Sequence, residues 1–335
     1  MKKTICCLLA LIMAAALISC NGEITVNVGT TAAAETTKAP VTTEPPVTTE
    51  PPVTTEAPVT TEAPVTTEAP VTTETPVTTQ PPVPSDEPGL LWSGSYGKAV
   101  IEGYGKDMFD DYCINLRLTN SSEKTLCFSF DLVSVNGWMI DPFFARDVKP
   151  SETADAEVSF LSSYFEKYGI TDVREISFAL KVYDSDDIFA DYIANEKHTV
   201  YPMNDDPSKL SFPVRGILHE DTPIYRDGRW FISVIGIEYD ELWEEYNIKY
   251  YVHNNSSEDV EIYIHDVKVN GTEVDAFGFA DLNAGSQIIE SVGIEKDALD
   301  KASITSIDSI EAVLEITDPA VFFGSPYWSG TVKLK

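Results

Sequence analysis

Tyr112-Cys113-Ile114-Asn115-Leu116-Arg117-Leu118-Thr119-Asn120-Ser121-Ser122-Glu123-Lys124-Thr125-Leu126-Cys127-Phe128-Ser129-Phe130-Asp131-Leu132 decides the fold class. Ile114, Leu116 and Leu118 alternate with Asn115, Arg117 and Thr119, and Leu126, Phe128, Phe130 and Leu132 alternate with Cys127, Ser129 and Asp131. A period of two marks strands with one buried and one wet face. The polar run between them reads as a turn, and the pair as a hairpin. Ile248, Tyr250 and Val252, then Val260, Ile262 and Ile264, repeat the pattern.

That recurrence is part of an internal repeat at an offset of 134 residues. Val100-Ile101 matches Val234-Ile235, Asn120 and Ser122 match Asn254 and Ser256, and Val133, Val135, Asn136 and Gly137 match Val267, Val269, Asn270 and Gly271. Ile170-Thr171, Ile176, Leu180 and Asp184 match Ile304-Thr305, Ile310, Leu314 and Asp318, so the register holds without a gap. Asn136-Gly137 and Asn270-Gly271 suit tight turns that need positive φ. Later strands are expected over Glu175 to Tyr183 and Ile310 to Thr317, and one short helix in each copy, over Ser162 to Tyr168 and Lys296 to Ala302. Strands separated by turn signals, about 110 residues per copy, fit a β-sandwich. The expected layout is a domain over 89–203, a linker over 204–218 and a second domain over 219–335.

Upstream, Ala39 to Gln80 repeats the unit x-Pro-Val-Thr-Thr-Glu. Frequent proline forbids helix, and threonine and glutamate bury too little to offset ordering entropy. Residues 20–88 therefore read as a disordered stalk with polyproline II bias, whose repeats reach at most roughly 130 Å. Thr/Pro-rich tracts also resemble O-glycosylated stalks.

At the start, Lys2 and Lys3 precede an apolar run from Ile5 to Ile18. Residues 1–19 read as an export signal, since so short a run falls below the ~20 residues of a membrane span. The closing Leu17-Ile18-Ser19-Cys20 resembles the lipobox of bacterial lipoproteins. That resemblance implies cleavage before Cys20, a lipid on its sulfur, and a home on the extracytoplasmic face of the cell membrane.

The copies themselves resemble the immunoglobulin-like domains of uncharacterised lipoproteins from low-GC Gram-positive bacteria. The likeness rests on the Asn-Ser-Ser turn, the Val-Asn-Gly turn and Gly169-Ile170-Thr171-Asp172-Val173, which reads Ser303-Ile304-Thr305-Ser306-Ile307 in the second copy. It implies an all-β chain of two tandem immunoglobulin-like sandwiches and a surface location, and it brings no catalytic residues.

Charge narrows the partners. The formal net charge is −31, most of it after the stalk, a field that repels nucleic acid and anionic lipid headgroups. His198, His219, His253 and His265 lack zinc-site spacing. Ser93-Gly94-Ser95-Tyr96-Gly97 lacks the first glycine of a nucleophile elbow, and no Gly-rich phosphate loop follows a strand. No cofactor, metal or catalytic residue is therefore expected. With residue 113 facing 131 across the hairpin, Cys113 and Cys127 would stand about 13 Å apart, beyond the ~7 Å limit for a disulfide, and should be free thiols.

One loop stands out. Asp107-Met108-Phe109-Asp110-Asp111-Tyr112 recurs as Glu241-Leu242-Trp243-Glu244-Glu245-Tyr246. Acidic pairs beside an aromatic could hold a cation or engage a protein or glycan partner, making Asp107, Phe109, Asp110, Asp111, Glu241, Trp243, Glu244 and Glu245 the candidate contacts. Calcium wants about six to eight oxygens, and the loop order is not that of a calcium loop. The favoured expectation is a solvated hairpin loop whose aromatic folds back over the sandwich. Asp184-Ser185-Asp186-Asp187 reads as a turn. Trp92, Trp138, Trp230, Trp243 and Trp328 allow a carbohydrate platform if exposed together. The whole describes a membrane-anchored, non-enzymatic surface protein for binding or adhesion. A carbohydrate- or solute-capturing module of an uptake system and a structural spacer are the alternatives.

Overall fold

A computed structural model of the chain describes residues 87–321 and 324–335. The export signal, Cys20 and the Pro/Thr-rich stalk lie outside the described residues. Those described are predominantly β-strand, in several sheets, and two short helices interrupt them. No helix among them is long and apolar enough to cross a membrane.

In the first half, β1 (Leu90–Gly94), β2 (Gly97–Lys106), β3 (Tyr112–Asn120) and β7 (Thr153–Phe160) form one antiparallel sheet in the order β1-β2-β3-β7. The facing layer is β5 (Trp138–Met139), β4 (Leu126–Val135), β8 (Ile176–Asp184) and β9 (Ala194–Val200), with β6 (Ala145–Val148) also on β4. Helix α1 (Ser162–Tyr168) closes one end. Ile114, Leu116 and Leu118 of β3 meet Leu126, Phe128 and Phe130 of β4 in a single apolar core. Alternation puts one face of each strand there, and burying each such side chain contributes about 1.5–3 kcal/mol.

The second half repeats this element for element. β10 (Thr222–Arg226), β11 (Trp230–Asp240), β12 (Glu245–Asn254) and β16 (Gln287–Glu295) face β13 (Val260–Val269), β14 (Thr272–Glu273), β15 (Gly278–Leu282), β17 (Ile310–Thr317) and β18 (Trp328–Lys333), and α2 (Lys296–Lys301) stands where α1 does. A second core gathers Ile248, Tyr250, Val252, Ile262, Ile264 and Leu314. The two Asn-Gly turns take left-handed backbone, with φ of 50° and 79° at Asn136 and Gly137 and 51° and 81° at Asn270 and Gly271. Each asparagine also staples its turn to the strand beyond. The Asn136 amide donates to Asp172 O and its Oδ1 accepts from Arg174 N and Glu175 N; Asn270 makes the same bonds with Ser306, Asp308 and Ser309.

Two sequence expectations are corrected. β3 and β4 do not form a hairpin, because β3 pairs with β2 and β7 while β4 pairs with β8, β5 and β6. The Asn120–Lys124 turn carries the chain from one sheet to the other. Buried Asn120 organises it: its amide donates to Lys124 O and Val148 O, and its Oδ1 accepts from Ser122. Asn254 repeats the arrangement with Glu258, Asn283 and Ser256. Period-two alternation reports one buried face, and it is silent on which strand lies alongside. Cys113 and Cys127 are free and buried. They occupy the outward faces of opposite sheets, so the core of the sandwich stands between them; that, not hairpin spacing, keeps them apart.

The second correction concerns register. Lys106 pairs with Tyr112, and Tyr239 with Tyr246, so the first two strands of each half are offset by 133. The structural equivalent of Ile101 is Val234, and the second loop carries one extra residue.

The segment between the halves is tied down. Arg215 forms a two-point ion pair with Asp221 at 2.7 and 2.9 Å, and Arg174 reaches Asp205. Gln287, 2% exposed, binds linker and first half together: its N donates to Gly137 O, its Oε1 accepts from Arg215 N and Tyr251 Oη, and its Nε2 donates to Pro213 O.

Candidate interaction surface

The acidic–aromatic loops sit at the tips of the β2–β3 and β11–β12 hairpins. In the first, Asp107 Oδ1 accepts from Phe109 N at 2.8 Å and Asp111 N at 3.1 Å. These bonds close the turn, with Asp110 at φ 68°. The Ser159 hydroxyl, with help from those two backbone donors, holds the Asp107 carboxyl below the usual carboxylate value. Asp111 Oδ1 accepts from Ser162 N and so anchors the tip to the first turn of α1, while Asp110 pairs with Lys106 at 2.7 Å.

The second tip is built alike from a residue the sequence comparison passed over. Asp240 Oδ1 accepts from Leu242 N at 2.8 Å and Trp243 N at 3.1 Å, with Glu244 at φ 51°. Asp240, not Glu241, therefore does the work of Asp107; the extra residue hides the equivalence. An aspartate two residues ahead of a turn's centre is the signal that points to it, because its carboxylate bonds the backbone two residues on. Lys296 N donates to Glu244 O at 2.9 Å, and Glu245 accepts from Asn247 Nδ2.

Both turns leave their apolar residues in solvent. Met108 is 88% and Phe109 76% exposed, Leu242 82% and Trp243 72%. The expectation that the aromatic folds back over the sandwich is overturned. A turn pinned at its base by a carboxylate gripping backbone N–H groups has no slack to return the side chain to the core. Exposed single apolar residues are ordinary. Two apolar–aromatic pairs at equivalent tips, in halves whose sequences differ, are not.

The eight candidate residues thus fall into two groups, Asp107, Phe109, Asp110 and Asp111 on one tip and Glu241, Trp243, Glu244 and Glu245 on the other. Among the described residues no three His, Cys, Asp or Glu side chains stand together as metal ligands would. At the Asp184 turn the carboxylate pairs with Lys124 at 2.6 Å and accepts from Asp186 N.

The tryptophans do not share a surface. Trp92 and Trp230 are buried, Trp138 and Trp328 half-buried, and Trp243 alone of the five is exposed. The shared Trp-Ser-Gly setting of Trp92 and Trp328 is a packing device: each indole lies over the glycine two residues on, where a Cβ at Gly94 or Gly330 would come within 3.3 or 2.8 Å of the ring.

No protein-family model matches the chain, and no curated protein does. Among solved structures, it is similar to a protein of unknown function from Porphyromonas gingivalis W83, at 10% identity over 70% of this chain and 97% of that one, with a TM-score of 0.20. A likeness at that score bears on neither fold nor function.

Proposed function

We propose that this chain is a lipid-anchored binding protein of the cell surface. In this reading Cys20 carries the lipid, the Pro/Thr-rich segment spaces residues 89–335 away from the membrane, and those residues present two tandem immunoglobulin-like sandwiches. The strand orders β1-β2-β3-β7 against β5-β4-β8-β9, with a sheet-to-sheet crossing after β3, support the immunoglobulin-like assignment.

The observation that carries the binding role is the duplicated tip. Phe109 and Trp243 project from carboxylate-rimmed turns, and aromatic anchors of this kind dominate interface energetics. Sinking either into a partner is worth about 2–3 kcal/mol. The rim of Asp107, Asp110, Asp111, Asp240, Glu241, Glu244 and Glu245 selects a partner whose apolar pocket is edged by lysine or arginine, and opposes approach to anionic surfaces. Scattered tryptophans give the carbohydrate reading less support, and paired apolar tips are a poor design for an inert spacer.

Two experiments test this reading. Metabolic labelling with a palmitate analogue should mark the full chain and fail to mark Cys20→Ser; an unmarked wild-type chain contradicts the anchor. Retention of the full chain on an immobilised Leu/Lys amphipathic peptide should drop at least tenfold in Phe109→Ser/Trp243→Ser. Equal retention contradicts the surface.

A further inference from the structure

The halves meet along an open cleft of about 460 Å³ to which each contributes a wall, β4, the residues after β5 and α1 on one side, β15 and β16 on the other. Four carboxyl groups line it: Asp131 on β4, Asp141 after β5, Asp281 on β15 and Glu290 on β16. Among the described residues only Asp131 of the four forms an ion pair, with Lys181 on β8. Aromatic rings stand between the carboxyl groups. Phe143 and Phe279, 79% and 40% exposed, come from opposite walls, and Tyr164 and Tyr168 come from α1.

One ammonium group already sits against these rings. Lys167 Nζ lies 5.0 Å from the centroid of Tyr168 and 6.0 Å from that of Tyr164, donates to Ile289 O of the opposite wall at 2.9 Å, and lies near Glu290. An ammonium held between aromatic faces, a carbonyl and a carboxylate is therefore an arrangement this junction supports, and the three carboxyl groups without an ion pair leave room for more. Next to Glu290 a polar atom also lacks a partner. Tyr250 stands opposite Glu290 in the β12–β16 register and is fully enclosed, and its hydroxyl has no hydrogen-bond partner among the described residues. Residues directly opposite on neighbouring strands share a face, and a buried hydroxyl left unpaired is uncommon in a protein with nothing bound beside it.

We propose that this cleft is a binding site for a linear polyamine, a flexible methylene chain carrying two or more ammonium groups. Its ammonium groups meet Asp141, Asp281 and Glu290, and its methylenes and charged ends lie against Phe143 and Phe279. The volume is that of a small-molecule site. A bare metal ion would gain nothing from the rings, and among the described residues no three carboxylates stand together as metal ligands would. The cleft shares no residue with the two acidic–aromatic tips, so the proposal is independent of their role.

Titration calorimetry of the full chain with spermidine, at neutral pH and physiological ionic strength, should show one saturable site per chain. A net charge of −31 attracts any polycation, so the variants decide. Asp281→Asn/Glu290→Gln should weaken spermidine at least tenfold. Glu123→Gln/Asp297→Asn removes the same charge at exposed positions outside the cleft and should leave affinity within twofold. Phe143→Ser/Phe279→Ser changes no charge and should weaken binding at least threefold. Because both phenylalanines are exposed, that variant tests the site even if Asp281→Asn/Glu290→Gln fails to fold. A capped Lys-Gly-Lys peptide should bind at least fivefold more weakly than spermidine. No saturable site in the wild type overturns the proposal. So do equal losses in the two charge-removing variants, an unaltered affinity in Phe143→Ser/Phe279→Ser, or a peptide bound as tightly as spermidine.

Discussion

Gln287 and Trp138 pair as parallel neighbours, the one opening β16 of the second half and the other opening β5 of the first. Through that single rung the sheet β10-β11-β12-β16 continues into β5-β4-β8-β9. Trp138 is locked in place by a stack on Tyr168 at 4.2 Å and a tilted contact with Tyr251 at 6.3 Å. The halves are therefore joined by backbone pairing, side-chain hydrogen bonds and aromatic packing together.

Gln287→Ala is the substitution expected to loosen this junction. It removes three side-chain hydrogen bonds and strands Arg215 N and Tyr251 Oη in a buried setting, at a cost of about 2–3 kcal/mol. Thermal unfolding should then resolve into two transitions where the wild type shows one, since two halves with separate cores no longer melt together. A single unsplit transition with unchanged midpoint would show that Gln287 does not couple them.

The two Asn-Gly turns provide a test of structural equivalence. Asn136→Ala and Asn270→Ala each lose three hydrogen bonds and place alanine at positive φ, costing about 2–3 kcal/mol apiece. Urea denaturation should return matching losses for the two single variants and their sum for the double, because the turns lie in different halves.

Asp221 sets an acid limb of stability. Its carboxyl, side chain fully enclosed, is held below the ordinary value chiefly by the Arg215 guanidinium, with Leu218 N also donating. A carboxyl lowered in the folded state gives stability that is present above the unfolded value near 4 and lost as pH falls through the folded one. Asp221→Asn should cost about 2 kcal/mol at pH 7, since Arg215 is left half-enclosed without its partner, and should flatten the loss below pH 4 in guanidinium titrations.

Much of this architecture was legible in the chain. Alternation located β3, β4, β12 and β13, α1 falls on Ser162–Tyr168 as the pattern implies, and Asn136-Gly137 announced its turn. What alternation could not convey was pairing: Asn120 and Asn254 turn the chain between sheets, a choice made by two buried amides and not by hydrophobic period. The junction escaped because its residues break the repeat. Trp138, Gln287, Asn283 and Glu290 stand where the other half has Thr272, Thr153, Lys149 and Ala156. A search for what recurs passes over them. Departures from the repeat mark where the halves meet, whereas the retained Asp-led tips mark what each half shows to solvent. Their exposure was illegible too, since it depends on how Asp107 and Asp240 grip their turns.

The binding surface is tested most directly by placing a photo-crosslinking benzophenone amino acid at Phe109, at Trp243 and, as a control, at Phe189, which is 93% exposed and belongs to the β8–β9 connection and to neither tip. In cells carrying the full chain, irradiation should yield the same discrete adduct from positions 109 and 243 and none from 189. Adducts equally abundant at all three positions, or absent from both tips, would contradict the account.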